Sequence, residues 1–171
     1  GKAAGLNVGL LHIRTDAIDG IPTNDYSVVR LAKELPNRSR IGGAFIRRAA
    51  SGVADDWNRT MAVDGQLGIG EAISLSSFIA KSETPGRPGE DHIADLQGSY
   101  TDRNWEARLN LREVGEDFNP EVGFLPRAGY RYLQAFVLHH IRPGKWSVRE
   151  IRPHTSYFTY RDPETGFQQT S

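Results

Sequence analysis

The sequence predicts an all-β fold: an antiparallel up-and-down meander of about nine long strands, forming part of a transmembrane β-barrel. Three observations predict it. Apolar and polar residues alternate with period two along most of the chain, and helical periodicity hardly occurs. The alternating segments run to about ten residues, a length that crosses a bilayer at a tilt, whereas strands of soluble proteins average about five or six. Long and short connections follow one another in strict order, as in barrels with tight turns at one end and longer loops at the other.

The elements follow in chain order. "LNVGLLHIRT" is the first strand, of mixed pattern. "YSVVRLAKEL" sets Val29, Leu31 and Leu35 against Arg30 and Glu34. "RIGGAFIRR" is a weaker strand. "RTMAVDGQLGI" sets Met61, Val63, Leu67 and Ile69 against Thr60, Ala62, Asp64 and Gln66. "EAISLSSFIAKS" sets Ile73, Leu75 and Ile79 against Ser74 and Ser76, with Phe78 interrupting the polar face. In "HIADLQGSYT", Ala94, Leu96 and Tyr100 oppose Asp95, Gln97, Ser99 and Thr101. "NWEARLNLREV" is the clearest case, with Trp105, Ala107, Leu109 and Leu111 on one face and Glu106, Arg108, Asn110 and Arg112 on the other. In "GYRYLQAFVL", Tyr130, Tyr132, Phe136 and Leu138 share a face, opposite Arg131. "WSVREIRPHTSYFTY" closes the series, with Pro153 marking a bulge or an edge position.

Between these, "DAIDGIPTN", "AASGVADD", "ETPGRPGED" and "GEDFNPEVGFLPR" are long connections. "PNRS", the Gly70–Glu71 junction, "TDRN" and "RPGK" are short ones and alternate with them. Adjacent strands without crossover helices must be antiparallel. The whole of 1–171 reads as a single barrel segment. The opening "GKAAGLNVGLLHIRT" reads as already inside a strand, with no signal-peptide pattern, and both ends look cut, so a segment of a larger protein is expected.

Composition narrows the function. The 171 residues carry 21 Lys+Arg and 21 Asp+Glu, a formal net charge of zero, so nothing global points to nucleic acid. There is no cysteine, which removes disulfides, thiolate catalysis and Cys-ligated zinc. No run approaches the roughly 20 apolar residues of a spanning helix.

Alternation alone serves a soluble sandwich as well as a barrel. Opposite charges interleaved in mid-strand favour the wall of a wet pore. Arg30, Glu34, Asp64, Glu106, Arg108, Arg112 and Arg131 are therefore the candidate lumen-facing residues. Tyr26, Trp57, Tyr100, Trp105, Tyr130 and Trp146 fall near strand ends, as in an aromatic girdle.

Three stretches, "NDYSVVRLAKELPNRSRIGGAFIRR", "VDGQLGIGEAISLSSFIAKSETPG" and "GEDFNPEVGFLPRAGYR", resemble a bacterial envelope family. Its long proteins begin with a module similar to family-nine carbohydrate-binding domains and continue into an outer-membrane β-barrel described as a domain of unknown function. The most specific element is the run from Asp117 to Phe124 followed by Arg127; Ser39-Arg40-Ile41-Gly42 and Val63-Asp64-Gly65 are weaker. The resemblance covers nearly all of the chain and falls inside the barrel part. It implies the outer membrane of a Gram-negative bacterium, outer-membrane lipid as partner, and a pore, transport or surface-anchor role. Glycans would be bound through a domain absent from this sequence. A terminal barrel strand ending in an aromatic residue is also absent, since the chain stops at "FQQTS".

The acidic stretch after Val114 is the main chemical candidate. Glu116 and Glu121 could serve a glycosidase, which needs two carboxylates across the scissile bond. The residues favour a structural loop of Asp117, Phe118, Asn119, Pro120, Glu121, Gly123, Phe124 and Arg127. Asn119-Pro120 and Gly123 are turn formers, the phenylalanines can anchor the loop, and Arg127 can pair with Glu121 or Asp117. No catalytic residue is assigned. His12, His92, His139, His140 and His154 lack ligand spacing, and "DAIDG" and "DPETG" lack a full calcium-ligand series, so neither metal nor cofactor is expected. "GQLGIG" opens no helix and is no dinucleotide fingerprint. The alternative function is a soluble all-β glycan-binding or glycoside-hydrolase module.

Overall fold

The computed structural model describes residues 1–3, 5–144 and 147–170. Eleven strands, all antiparallel, form one sheet in chain order. They are β1 (Lys2–Ala3), β2 (Leu6–Arg14), β3 (Asn24–Leu35), β4 (Ser39–Ala50), β5 (Trp57–Ile69), β6 (Ile73–Glu83), β7 (His92–Thr101), β8 (Trp105–Val114), β9 (Tyr130–His139), β10 (His154–Arg161) and β11 (Gln168–Thr170). The nine long strands are β2 to β10, and the two short ones flank them. Among the described residues there is no helix, each strand pairs only with its sequence neighbours, and β1 does not meet β11. The sheet is open.

Turn chemistry explains the tight end. Between β3 and β4, Asn37 and Arg38 both take positive φ (59° and 58°), and the Ser39 N–H returns to the Pro36 carbonyl at 3.3 Å. Asn is among the few residues that adopt this conformation readily. Gly70 (φ 56°) turns β5 into β6. The Asp102 carboxylate turns β7 into β8 by accepting the N–H groups of Asn104 (2.7 Å) and Trp105 (2.6 Å).

The eighth connection differs from the sequence expectation. "RPGK" is expected to lead straight into a strand, but the described residues 147–153 form no strand, only an isolated bridge at Ile151. The connection runs over 140–153, and β10 begins at His154, directly after Pro153. Among the described residues, an isolated Ile141–Ile151 bridge continues the ladder beyond β9. Pro153 lacks an N–H but offers its carbonyl, which the His139 N–H reaches at 3.0 Å. Trp146, assigned to the girdle, lies outside the described residues.

The register sorts the side chains onto two faces. One row reads Val29–Phe45–Met61, another Val63–Ile79–Ala94, and another Leu96–Leu111–Leu133. This apolar face stays exposed: Val63 is 59 % and Ile79 58 % accessible, and Leu10, Ile41, Leu67, Leu109 and Tyr157 are exposed with them. The buried hydrophobic side chains are few. Ala80, Val114, Phe118 and Tyr130 form one small cluster, at the long-loop end of the opposite, polar face. A ten-residue strand at about 3.4 Å per residue spans about 34 Å, and at a tilt near 40° it crosses about 26 Å.

β9 reverses the expected assignment. Tyr130, Tyr132, Phe136 and Leu138 share the polar side, while Arg131 lies between Glu113 and Arg161 in the row below which Leu111, Leu133 and Thr159 stand. Tyr130 and Tyr132 are on the polar face where the long loop packs, with Tyr130 7 % accessible, and Phe136 lies there under Arg108. Arg131 is thus separated from the other lumen-facing candidates.

Candidate functional site

The polar face is organised by ion pairs between strands. Arg30 of β3 reaches across β4 to Asp64 of β5, with Nη1 on Oδ1 and Nη2 donating to Oδ2 at 2.8 Å. The guanidinium passes over Gly42, where an added Cβ would lie 2.8 Å from Nη2. Gly42 and Asp64 are themselves register partners. Two separate sequence elements, Ser39-Arg40-Ile41-Gly42 and Val63-Asp64-Gly65, therefore meet at Gly42 and Asp64 under one arginine.

Arg112 donates through Nε to Asp95 at 2.6 Å, and Asp95 also accepts from the Gln97 amide at 2.8 Å. Arg108 pairs with Glu106 on the same strand and lies over the Phe136 ring. Glu34 accepts weakly from the Asn7 amide at 3.5 Å. A small polar hollow of about 180 Å³ lies between β6 and β9, lined by Ser74, Ser76, Gln97, Ser99, Arg108, Asn110 and Gln134. Arg30, Glu34, Asp64, Glu106, Arg108 and Arg112 share this face, distributed over β3, β5 and β8 rather than gathered into one centre.

The long loop, residues 115–129, folds down onto the polar face. Phe118 is 6 % accessible and packs with Ala80, Val114 and Tyr130. The Asn119 N–H donates to the Ser82 hydroxyl at 2.9 Å, and its carbonyl accepts from the Asn58 amide at 2.8 Å. Asn58 donates as well to the Thr84 hydroxyl at 2.8 Å. Pro120 to Gly123 close a turn, with Gly123 N–H to Pro120 carbonyl at 2.7 Å. At the loop base the Gly115 and Asp117 N–H groups go to His92 and Glu90 carbonyls at 2.8 and 3.0 Å. A Cβ on Gly115 would overlap the Glu90 carbonyl. Phe124 stays exposed at 90 % and anchors nothing.

Arg48 joins loop and sheet. Its Nε meets Glu121, Nη1 donates to Asn24 Oδ1 at 3.0 Å, and Nη2 to Asp56 at 2.5 Å, with the side chain 16 % accessible. Glu121 is thus paired with Arg48, not with Arg127. Arg127 lies over the Tyr130 and Tyr160 rings and donates to Gln169. Gly123 does not take positive φ, and its nearest contact for an added Cβ is Pro120 at 3.4 Å.

Sequence reading missed Arg48, Asn58 and Ser82. Alternation places Asn58 and Ser82 on the polar face and the register adds Arg48, but their partner loop lies far along the chain. Asp64, Asp95 and Glu121 are each held by an arginine, so this surface presents fixed charge and hydrogen-bonding groups. His139 and His140 have separate neighbours, the Asn104 carbonyl and Glu150, each at 3.0 Å. Among the described residues no group of three His, Cys, Asp or Glu side chains converges as a metal ion requires.

Compared with known proteins, the chain matches no family model, no curated protein and no solved structure.

Proposed function

We propose that this chain forms a stretch of the wall of an outer-membrane β-barrel in a Gram-negative bacterium. Its apolar face meets lipid, its polar face lines a wet lumen, and loop 115–129 is folded over the mouth. In the full-length protein the barrel acts as a pore, transporter or surface anchor coupled to a carbohydrate-binding module. The observation that carries this reading is the band of exposed apolar side chains running from β2 to β10, backed by a face of cross-strand ion pairs. In water such a band is far larger than the apolar patches soluble monomers expose; in lipid it is the required surface. The open sheet edges support closure by further strands, because unpaired backbone groups are costly in a bilayer. The resemblance to the envelope family supports the coupling to carbohydrate binding.

The test is refolding the chain into phosphatidylcholine vesicles. Membrane-embedded material with heat-modifiable gel migration and protease-protected strands is expected. A monodisperse monomer that unfolds cooperatively in plain buffer would overturn the proposal. Activity on glycans that disappears in Glu121→Gln while migration stays normal would instead favour a glycoside hydrolase.

A further inference from the structure

We infer that the lipid-facing surface carries sites for phosphate-bearing lipid at the long-loop end, centred on Arg161 and Arg47; this rests on the barrel-wall reading above. The border of the apolar band at that end is basic. Arg14, Arg47, Arg59, Lys81, Arg131 and Arg161 stand on it, against Asp25, Glu83 and Glu113 from the strands and Asp91 from a connection. At the short-turn end the same face ends in Ile69, Ile73, Tyr100 and Trp105. The strand residues of this face therefore carry most of their cations at the long-loop end, whereas the short-turn end holds Arg38, Arg103 and Arg142 in its connections.

Two rows of the register repeat one arrangement. In the first, Arg47 stands opposite Arg59, and Arg59 stands opposite Glu83. In the second, Arg161 stands opposite Arg131, and Arg131 opposite Glu113. Arg59 donates to Glu83 at 2.6 Å and Arg131 to Glu113 at 2.7 Å, so each acid is taken. Among the described residues Arg47 and Arg161 make no ion pair, and both are exposed. Like charges directly opposite on neighbouring strands are destabilising unless an anion lies between them. A phosphate bridging each arginine pair relieves this, and a guanidinium fits phosphate with two parallel N–H donors.

The second row also crowns a trough. A twisted sheet is saddle-shaped, so each face is concave along one diagonal. On the apolar face this leaves a groove of about 690 Å³ lined by Ile79, Leu96, Leu111, Leu133 and Tyr157, with Glu113, Arg131 and Arg161 at its upper end. Apolar below and cationic above, it matches an acyl chain beneath a phosphate. Arg59 over the Trp57 ring at 5.3 Å gives the first row its own interfacial aromatic.

The experiment places the full chain in dodecyl-maltoside micelles and adds dioleoyl phosphatidic acid or dioleoylglycerol, with bound lipid counted by native mass spectrometry. Preferential binding of phosphatidic acid is expected. Arg47→Gln and Arg161→Gln should each weaken it about fivefold, the effect of one basic residue near an anionic surface. Arg47→Lys and Arg161→Lys should keep most of it, and Lys33→Gln, on the same face but inside the band, should leave it unchanged. Excess inorganic phosphate should not displace the lipid. Equal binding of both lipids, an equal loss in Lys33→Gln, or displacement by free phosphate would overturn the inference while leaving the barrel wall standing. A chain that takes up no detergent and stays monomeric in buffer would overturn both.

Discussion

Arg48 is the residue on which the long loop depends. Its three charged or polar partners belong to β3, the β4–β5 connection and the loop, so one side chain ties four stretches of backbone together. Hydrogen bonds to charged groups contribute about 1.5–3 kcal/mol when shielded from water. Arg48→Met should therefore release the loop at a cost of about 2 kcal/mol, read as faster proteolysis within 115–129 of the folded protein. Glu121→Gln keeps the shape and should change proteolysis little. Gly42 is the second residue to test. Gly42→Ala should weaken the Arg30–Asp64 pair by about 1 kcal/mol, the range for a pair whose arginine is 40 % exposed. In an Arg30→Ala background the same change should cost less, since the Leu31 carbonyl at 3.1 Å is then the chief close contact. Alternation made the faces of Arg30 and Asp64 legible in the sequence, but not that of Arg48, whose strand "RIGGAFIRR" alternates weakly and ends in two arginines. Their partners were not legible, because Arg48 and Glu121 stand 73 positions apart and nothing local marks such a pair.

At the scale of elements, most strands were legible because apolar and polar residues keep to separate parities. β9 was not. Tyr130 and Tyr132 serve the contact with the loop and Phe136 lies under Arg108, so aromatic residues there mark the polar face of the sheet and Arg131 the other. The β9–β10 connection also differs: Pro143-Gly144 has turn chemistry, but the ladder around it is a single Ile141–Ile151 bridge rather than a strand pair. The β7–β8 turn gives an element-scale prediction. The Asp102 carboxylate is held below the usual carboxylate range, first by the Tyr100 hydroxyl at 2.6 Å and then by the Asn104 and Trp105 N–H groups. A depressed folded pKa contributes stability that is present above the unfolded value, about 3.9. That contribution is lost as pH falls through the lower folded value. Amide protection at Asn104 and Trp105 should therefore be constant from neutral pH down to about 4 and fall below it, and Asp102→Asn should remove this pH dependence.

The whole molecule is one open sheet with a small buried cluster at one end. Two consequences follow from its exposed apolar face and unpaired edges. The isolated chain should aggregate in plain buffer and become dispersed in detergent, as size-exclusion chromatography in both media would show. The two faces should also differ in what touches them, and the absence of native cysteine allows each position to be labelled singly. The most direct measurement is a cysteine scan of β8 from Glu106 to Arg112 in lipid vesicles, using a water-soluble maleimide and a quencher attached to lipid chains. Ala107, Leu109 and Leu111 should resist the maleimide and be quenched from lipid, while Arg108 and Asn110 react and escape quenching. Quenching at Arg108 and Asn110 instead, or equal reaction with water at every position, would contradict a barrel wall with its apolar face in the membrane.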